Sequence, residues 1–353
     1  MKRLLQTRLA PETLNYLQHI SRFQEQWRTV LDTSKDFYVS LKKTTLITSA
    51  GASTRIEGAS LSDDDIIKRL VGLKIKKIRD RDEAEVAGYI DCKKYIFDHY
   101  GDLEISEHNI RSLHQMMMVY LPESLFPPNQ KGTYKNIPNS VVRIDHDTGK
   151  SEVIFETMPP GSQTETAMRE LTDDYRHFIQ NPNYSDLEVI AAFIAVFLAI
   201  HPFRDGNGRI SRLLTDLCLL RQDYLFCMYS SHEKIIEDNK EQYYIALRQT
   251  QISLKTKPDL NPWFIYFLKT LDQQTTYLQK KLPASKPATL TSLEEKVLDL
   301  IHKHRIVTIG FLERESKMKR VTLKSILARL KQRDLIEMEG ERKTSRYKAK
   351  SSV

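Results

Sequence analysis

The stretch "AIHPFRDGNGRISRLL", Ala199 to Leu214, gathers a histidine, an aspartate, an asparagine, two glycines and several arginines directly behind an uninterrupted apolar run. That run, Val189 to Ile200 ("VIAAFIAVFLAI"), holds twelve residues. Crossing a bilayer takes about 20, so it reads as a buried helix, Asp186 to Ile200. Pro202 ends it, because the residue before a proline avoids the α region, and His201 is delivered at its carboxyl end. The glycines of "DGNG" permit positive φ and turn backbone amides toward one point, an anion-binding nest. The next helix is expected from about Arg209, with an apolar face running through "RISRLLTDLCLLRQ".

A helix start with convergent N–H groups suits phosphate, and Arg209 and Arg212, three apart on one face, add two cations. Asp205 offers the hard oxygen that Mg²⁺ prefers. His201, of a residue type with an ordinary pKa of about 6.5, is the general-base candidate among these residues near neutral pH. Together they suggest phosphoryl or nucleotidyl transfer from a metal-bound nucleotide to a hydroxyl. The chain contains no GxxxxGK[ST] cradle and no HExxH zinc motif.

At 353 residues, with 40% hydrophobic and 28% charged, the chain has the composition of a globular protein large enough for two or three cores. Its start, "MKRLLQTRLAPETL", has neither a continuous apolar core nor a small-residue cleavage site, so no secretory leader is expected. Three scattered cysteines, Cys92, Cys218 and Cys227, form no CxxC and no disulfide framework, which suits a reducing cytoplasm. Cys218 lies in an apolar helical context and is expected to pack as a small hydrophobe.

The net charge of +8 is uneven: Lys281 to Val353 carry 18 Lys+Arg against 9 Asp+Glu, while residues 1 to 280 carry 36 against 37. "KLPASKPATL", with Pro283 and Pro287, marks a linker before the basic part. Beyond it, "SLEEKVLDLIHKH" opens a helix with Ser292 as N-cap and Glu295 completing a capping box. A short helix near Ile309 to Ser316, a third over Arg320 to Arg333, and two strands around a turn at Gly340 follow. Three helices and a hairpin resemble a winged helix-turn-helix, with Arg320 to Arg333 as recognition helix and DNA as expected partner.

Upstream, the signal is helical: "PETLNYLQHISRFQEQWRTVL", "DEAEVAGYIDCKKYIFDHY" and "SEHNIRSLHQMMMVYL", the last capped by Ser106, have apolar residues at i, i+3, i+4 spacing. Met116 to Met118 are expected to act as packing filler. One stretch breaks the period: β-branched runs at Val141 to Ile144 and Glu152 to Phe155, around a turn at Asp145 to Gly149, predict a hairpin.

"HPFRDGNGRISR", His201 to Arg212, matches the HxFx[DE]GNGRxxR signature, and the chain here resembles the Fic family, named for filamentation induced by cyclic AMP. The resemblance extends through "KGTYK" at Lys131 to Lys135, "MPP" at Met158 to Pro160 and "YYIAL" at Tyr243 to Leu247. It implies a mostly α Fic helical core with a β-hairpin flap. The implied organisation is an N-terminal helical extension over 1–105, a core over 106–280, a linker over 281–290 and a winged helix over 291–353. The implied activity is transfer of AMP from ATP, with Mg²⁺, to a Ser, Thr or Tyr hydroxyl of a target protein. By the same resemblance His201 deprotonates that hydroxyl, Asp205 holds Mg²⁺, and Gly206, Asn207 and Gly208 grip the α- and β-phosphates. Arg209 and Arg212 take the outer phosphates. Tyr243, Tyr244 and, at a position where the family often has asparagine, Gln251 shape the adenine pocket. Val153, Ile154 and Phe155 align a target segment by strand addition.

"STRIEG", Ser53 to Gly58, matches the family's inhibitory pattern [ST]xxxE[GN]. Ser53 and Glu57 are i and i+4 on a helix that Gly58 is placed to end. Its position ahead of the core resembles the self-inhibited class. The partners so implied are a target protein, DNA through the basic tail, a second copy in a homodimer, and no membrane. The alternatives are transfer of phosphate, UMP or phosphocholine, and a DNA-binding regulator that only senses nucleotide. Gly208 disfavours the phosphorylating relatives, where lysine commonly stands.

Overall fold

The computed structural model describes residues 1–30, 35–68, 78, 80–144, 151–282, 291–332, 335–339 and 345–350. The chain is mostly helical and divides into two compact units, Met1–Lys280 and Lys281–Val353. Residues 1–105, expected as an extension, lie in the same unit as the core.

The first unit runs α1 (Glu12–Val30), α2 (Lys35–Ile56), α3 (Asp63–Ile66), α4 (Arg81–His99) and α5 (Glu107–Met117), then a hairpin of β1 (Ser140–Ile144) and β2 (Ser151–Glu156). It continues with α6 (Ser162–Phe178), α7 (Asp186–Ile200), α8 (Asn207–Arg221), α9 (His232–Asp238), α10 (Lys240–Ser253) and α11 (Asn261–Lys281). Being apolar on every side, α7 goes to the centre: Ile190, Phe193, Ala195 and Phe197 are fully buried, with α6 and α8 packed on it. Trp263 of α11 donates its indole N–H to Ala191 O at 2.9 Å.

The hairpin pairs antiparallel, with Ser140 opposite Glu156 and an irregularity between Val141 and Val142. Its expected turn, Asp145 to Gly149, lies outside the described residues. Ser106 caps α5 as expected, accepting from Asn109 N. Met117 and Met118 are buried, and so are Cys92, Cys218 and Cys227, each a free thiol.

A buried charge cluster fastens α4, α8 and α9. Lys93 Nζ donates to Asp216 Oδ2 at 2.6 Å and to Glu233 Oε1 at 2.5 Å, and Tyr89 donates to the same Glu233 oxygen at 2.7 Å. His232 Nδ1 lies 3.3 Å from Asp216 Oδ1. Burial opposes the charged form of Glu233, but His232 and Lys93 outweigh it and hold its pKa well below the usual carboxylate value. Burial likewise opposes the charged form of Lys93, and Asp216 and Glu233 outweigh it, raising the ammonium pKa.

The second unit contains α12 (Ser292–His304), α13 (Ile309–Ser316) and α14 (Arg320–Gln332), with β3 (Ile306–Thr308), β4 (Ile336–Glu339) and β5 (Arg346–Ala349). The strands form an antiparallel sheet in the order β3-β5-β4. Val297, Ile301, Leu312, Leu323, Leu327 and Ile336 make its core. The cap of α12 sits one residue earlier than the sequence suggests: Thr291 and Glu294 form the capping box, because Thr291 has the extended backbone of a cap, φ −61 and ψ 152, while Ser292 is already helical. Strand β3 was not expected; three residues are too few to show a period. The turn at Gly340, linker residues 283–290 and Arg333 lie outside the described residues. Among the described residues, no helix is long and apolar enough to cross a membrane.

Candidate functional site

His201 is the C-cap of α7 and has left-handed backbone, φ 54 and ψ 59, a conformation that costs a non-glycine residue energy and reverses the chain at once. Its ring Nδ1 lies 3.3 Å from Leu198 O. A carbonyl oxygen can only accept, so Nδ1 carries the proton and Nε2 keeps the lone pair. Burial pushes the His201 pKa down to about 4, the Leu198 carbonyl opposing and the Lys135 cation adding to the fall. The imidazole is neutral at physiological pH and can accept a proton.

The loop behind it is fastened by Asn207, whose Oδ1 accepts from Phe203 N at 2.9 Å and whose Nδ2 donates to Phe203 O at 2.7 Å. That side chain shapes the loop. Helix α8 starts at Asn207, two residues before the expected Arg209, because Gly206 serves as N-cap in left-handed conformation, φ 80. A Cβ there would lie 2.9 Å from Met117 Cε and 3.0 Å from Met118 Cε, so position 206 has neither the conformation nor the space for a side chain. The amides of Asn207, Gly208 and Arg209 have no intrahelical acceptor, by the geometry of a helix start.

Asp205 supports the loop. Its Oδ1 accepts from Gly206 N at 2.6 Å and from Arg209 Nη2 at 3.2 Å, and its Oδ2 accepts from Arg81 Nη2 at 3.1 Å. Glu85 closes the ring, meeting Arg81 Nε at 2.8 Å and Arg209 Nη1 at 2.9 Å. Burial opposes the Asp205 charge, yet Arg209, the Gly206 amide and Arg81 outweigh it and hold the pKa below its usual value. An ionised carboxylate with a side chain 40% exposed fits a hard divalent cation at Oδ2, where Arg81 now stands.

Arg212, the second expected phosphate ligand, is taken by the "STRIEG" segment. Its Nε donates to Ser53 Oγ at 2.8 Å, and its Nη2 donates to Ser53 O at 2.9 Å and to Glu57 Oε1 at 2.8 Å. Burial disfavours the charged guanidinium, but Glu57 more than offsets this and raises its pKa. Helix α2 ends at Ile56, and Gly58 follows Glu57 with φ 104. The Glu57 carboxylate reaches the first turn of α8: a Cβ at Gly208 would lie 2.2 Å from its Oε1. An internal carboxylate therefore occupies the space before the helix start.

Two groups that sequence reasoning missed complete the site. His114 accepts at Nδ1 from Gly132 N, 2.9 Å, and donates from Nε2 to Asp205 O, 3.0 Å, while its ring stacks on Phe203 at 3.8 Å. Burial pushes its pKa to about 4. Lys135 is buried and hydrogen-bonded to the backbone beside His201. "KGTYK" drew attention to Lys135, but nothing in sequence spacing shows that it turns toward position 201.

The expected adenine residues divide. Tyr243 is buried, its ring 5.6 Å from Trp263 and 5.8 Å from Tyr266, while Tyr244 is 39% exposed and Gln251 is buried. A small cavity of about 20 Å³, lined by Arg212, His232, Tyr243, Trp263 and Tyr266 among others, lies behind Arg212. On the hairpin, Val153 is 51% exposed, whereas Phe155 is buried beneath Lys255, whose Nζ lies 5.5 Å from the ring centre. The Ile154 side chain lies outside the described residues.

Residues 104–219, which include His201, the loop, Arg209 and Arg212, match the model of the Fic/DOC family. The chain carries a Fic domain. A Fido domain-containing protein of Dictyostelium discoideum is 36% identical over 62 residues, 18% of this chain and 43% of that protein, so the match spans less than half of the relative. Among solved structures, a Fic family protein from Desulfovibrio desulfuricans aligns with TM-score 0.61 and 19% identity over 98% of both chains. Fic-1 from C. elegans aligns with TM-score 0.56 and 18% identity over 76% of this chain and 73% of that one. At such identities the structural likeness is one of fold. Proteins with Fic domains are generally transferases that use nucleotide or related donors.

Proposed function

We propose that this chain is an autoinhibited protein adenylyltransferase, moving AMP from ATP to a Ser, Thr or Tyr hydroxyl of a target protein. One observation carries the reading: the Glu57 carboxylate bonds Arg212 at 2.8 Å and fills the space before Gly208, beside a neutral His201. In the released state, His201 Nε2 takes the proton of the target hydroxyl as its oxygen bonds to the α-phosphorus. The bond between that phosphorus and the α–β bridging oxygen breaks, and pyrophosphate leaves. The amides of Asn207, Gly208 and Arg209 receive phosphate oxygens, and Arg212, freed of Glu57, meets the outer phosphate. Asp205 would hold Mg²⁺, which supplies charge neutralisation to the triphosphate when bound.

The test is label transfer by Glu57→Gly with ATP labelled at the α- or the γ-phosphate. The α label is expected to stay with protein, the γ label to leave, and His201→Ala is expected to lose transfer by at least 10²-fold while still binding ATP. Retention of the γ label would assign phosphorylation instead, and no label of either kind would favour a nucleotide sensor.

A second reading concerns the second unit. Its sequence carries a net +9, and Val321, in the first turn of α14, is 80% exposed beside exposed Thr322 and Lys324. An exposed apolar residue among cations suits contact with thymine methyls and phosphates, so we propose DNA binding by a winged-helix unit in a cytoplasmic protein. Duplex retention that weakens steeply with salt and is lost on deleting residues 288–353 would support this; retention by the truncated chain would refute it.

A further inference from the structure

Lys135 lies between the Fic loop and the hairpin and is 3% exposed. Its backbone N–H donates to Pro202 O at 2.8 Å. Its ammonium donates to Ile200 O at 3.2 Å, to Asn139 Oδ1 at 2.7 Å and to Thr157 Oγ1 at 2.7 Å. Each partner has a defined place. Ile200 and Pro202 flank His201, so the two carbonyls on either side of the left-handed residue both accept from Lys135. Asn139 immediately precedes β1 and Thr157 immediately follows β2, so the other two partners are the feet of the hairpin.

The feet are also joined to each other and to the loop. Thr157 Oγ1 lies 2.7 Å from Asn139 O, and Asn139 Nδ2 donates to Phe203 O at 2.9 Å. An ammonium has three N–H groups, and here all three are spent, with no solvent contact of consequence. Burying a cation among neutral acceptors disfavours its charge; the Lys135 pKa falls to about 8. The left-handed backbone at His201 persists only where its surroundings hold it, and Lys135 supplies two of the restraints.

We propose that Lys135 is a positioning residue that locks the backbone of His201 and both feet of the hairpin into one geometry, so that base and target-bearing strand stay in register. This rests on the reading of His201 as base and of the hairpin as target guide. Lys135 is buried and its ammonium meets Asn139, Thr157 and Ile200, so it acts through the backbone of His201 and the hairpin. Its removal should therefore lower turnover and leave nucleotide affinity alone, since the amides before Arg209 are held by Asn207 and Gly206.

The experiment compares Lys135→Met and Thr157→Val, each within Glu57→Gly, with Glu57→Gly alone. ATP binding, kcat and KM for ATP, and the His201 ring titration by NMR are measured. Lys135→Met is expected to lower kcat about 10²-fold, the scale of a 1 Å misplacement, with ATP affinity within about twofold. The His201 titration should move up from about 4 as the neighbouring cation and the backbone restraint are lost. Thr157→Val keeps the shape and removes the hydroxyl that accepts from Lys135 and donates to Asn139, and should lower kcat by about fivefold; it decides the matter if Lys135→Met does not fold. Unchanged kcat in Thr157→Val, or an unmoved His201 titration in folded Lys135→Met, overturns the assignment. Absence of label from Glu57→Gly itself would refute the transferase reading, while the titration would still judge Lys135.

Discussion

Glu57 and Gly208 share one space: a methyl group on Gly208 would stand 2.2 Å from Glu57 Oε1. A residue just past the end of the second helix thus closes the start of the eighth, 151 positions along the chain. If this contact is inhibitory, Glu57→Gly raises label transfer from ATP about 5- to 150-fold, the range of a 1 to 3 kcal/mol coupling. Equal labelling by the two forms under saturating ATP and Mg²⁺ would mean that the contact only ends a helix. Gly208→Ala places its methyl in the same space, so in the Glu57→Gly background it should weaken ATP binding, measured by calorimetry.

Arg212 separates relief of inhibition from loss of the phosphate ligand. It is 2% exposed and bonds both Ser53 and Glu57. Arg212→Ala in the Glu57→Gly background should return transfer to or below the level of the unmodified chain, because the cation that both carboxylate and phosphate would claim is gone. In the otherwise unaltered chain it leaves Ser53 O and Oγ without their donor, at a cost of about 1 to 3 kcal/mol in urea unfolding.

Acid should destabilise the fold through His114. Its folded pKa of about 4 lies below the ordinary value of 6.5, so the unfolded chain binds the proton more readily as pH falls. The contribution is complete above pH 6.5 and is lost as pH drops toward 4, up to about 3 kcal/mol in all. Urea unfolding at pH 7 and pH 5 should show a smaller pH difference for His114→Phe than for the unmodified chain. By the same sign His201 stays neutral well below pH 6.5, and its ring resonances should titrate near 4.

Lys93→Ala should be severely destabilising. It removes the ammonium from between Asp216 and Glu233 and leaves two carboxylates in a fully buried site. Breaking such a pair from one side costs about 3 to 5 kcal/mol, read from the midpoint of chemical unfolding. Lys93→Met with Asp216→Asn and Glu233→Gln, which removes the charges together, should recover much of that loss.

Much of the fold was legible along the chain because its signals are local. An apolar run without a polar face has to be a buried helix, Pro202 has to end it, and Gly206 is free to take the φ of 80 that opens α8. Ser106 at a helix start and the β-branched runs at Val141 to Ile144 and Glu152 to Phe155 are read from neighbours in sequence. The one-residue error at Thr291 and the missed strand at Ile306 arose where two residues are equally able to cap, or where three residues show no period.

The composition of the loop, His201 with Asp205, Gly206, Asn207, Gly208, Arg209 and Arg212, was determined by sequence alone, since the residues are adjacent and their chemistry is intrinsic. What each side chain touches was not. Arg209 turns to Glu85, Arg212 to Ser53 and Glu57, and Asp205 to Arg81, all partners more than a hundred residues away. His114 and Lys135, which hold the loop from outside the motif, are ordinary residues in sequence and acquire their place only through packing. The pKa of His201 follows the same rule: it is about 4 because burial withdraws water from the ring, and burial is a property of the assembled helices around it.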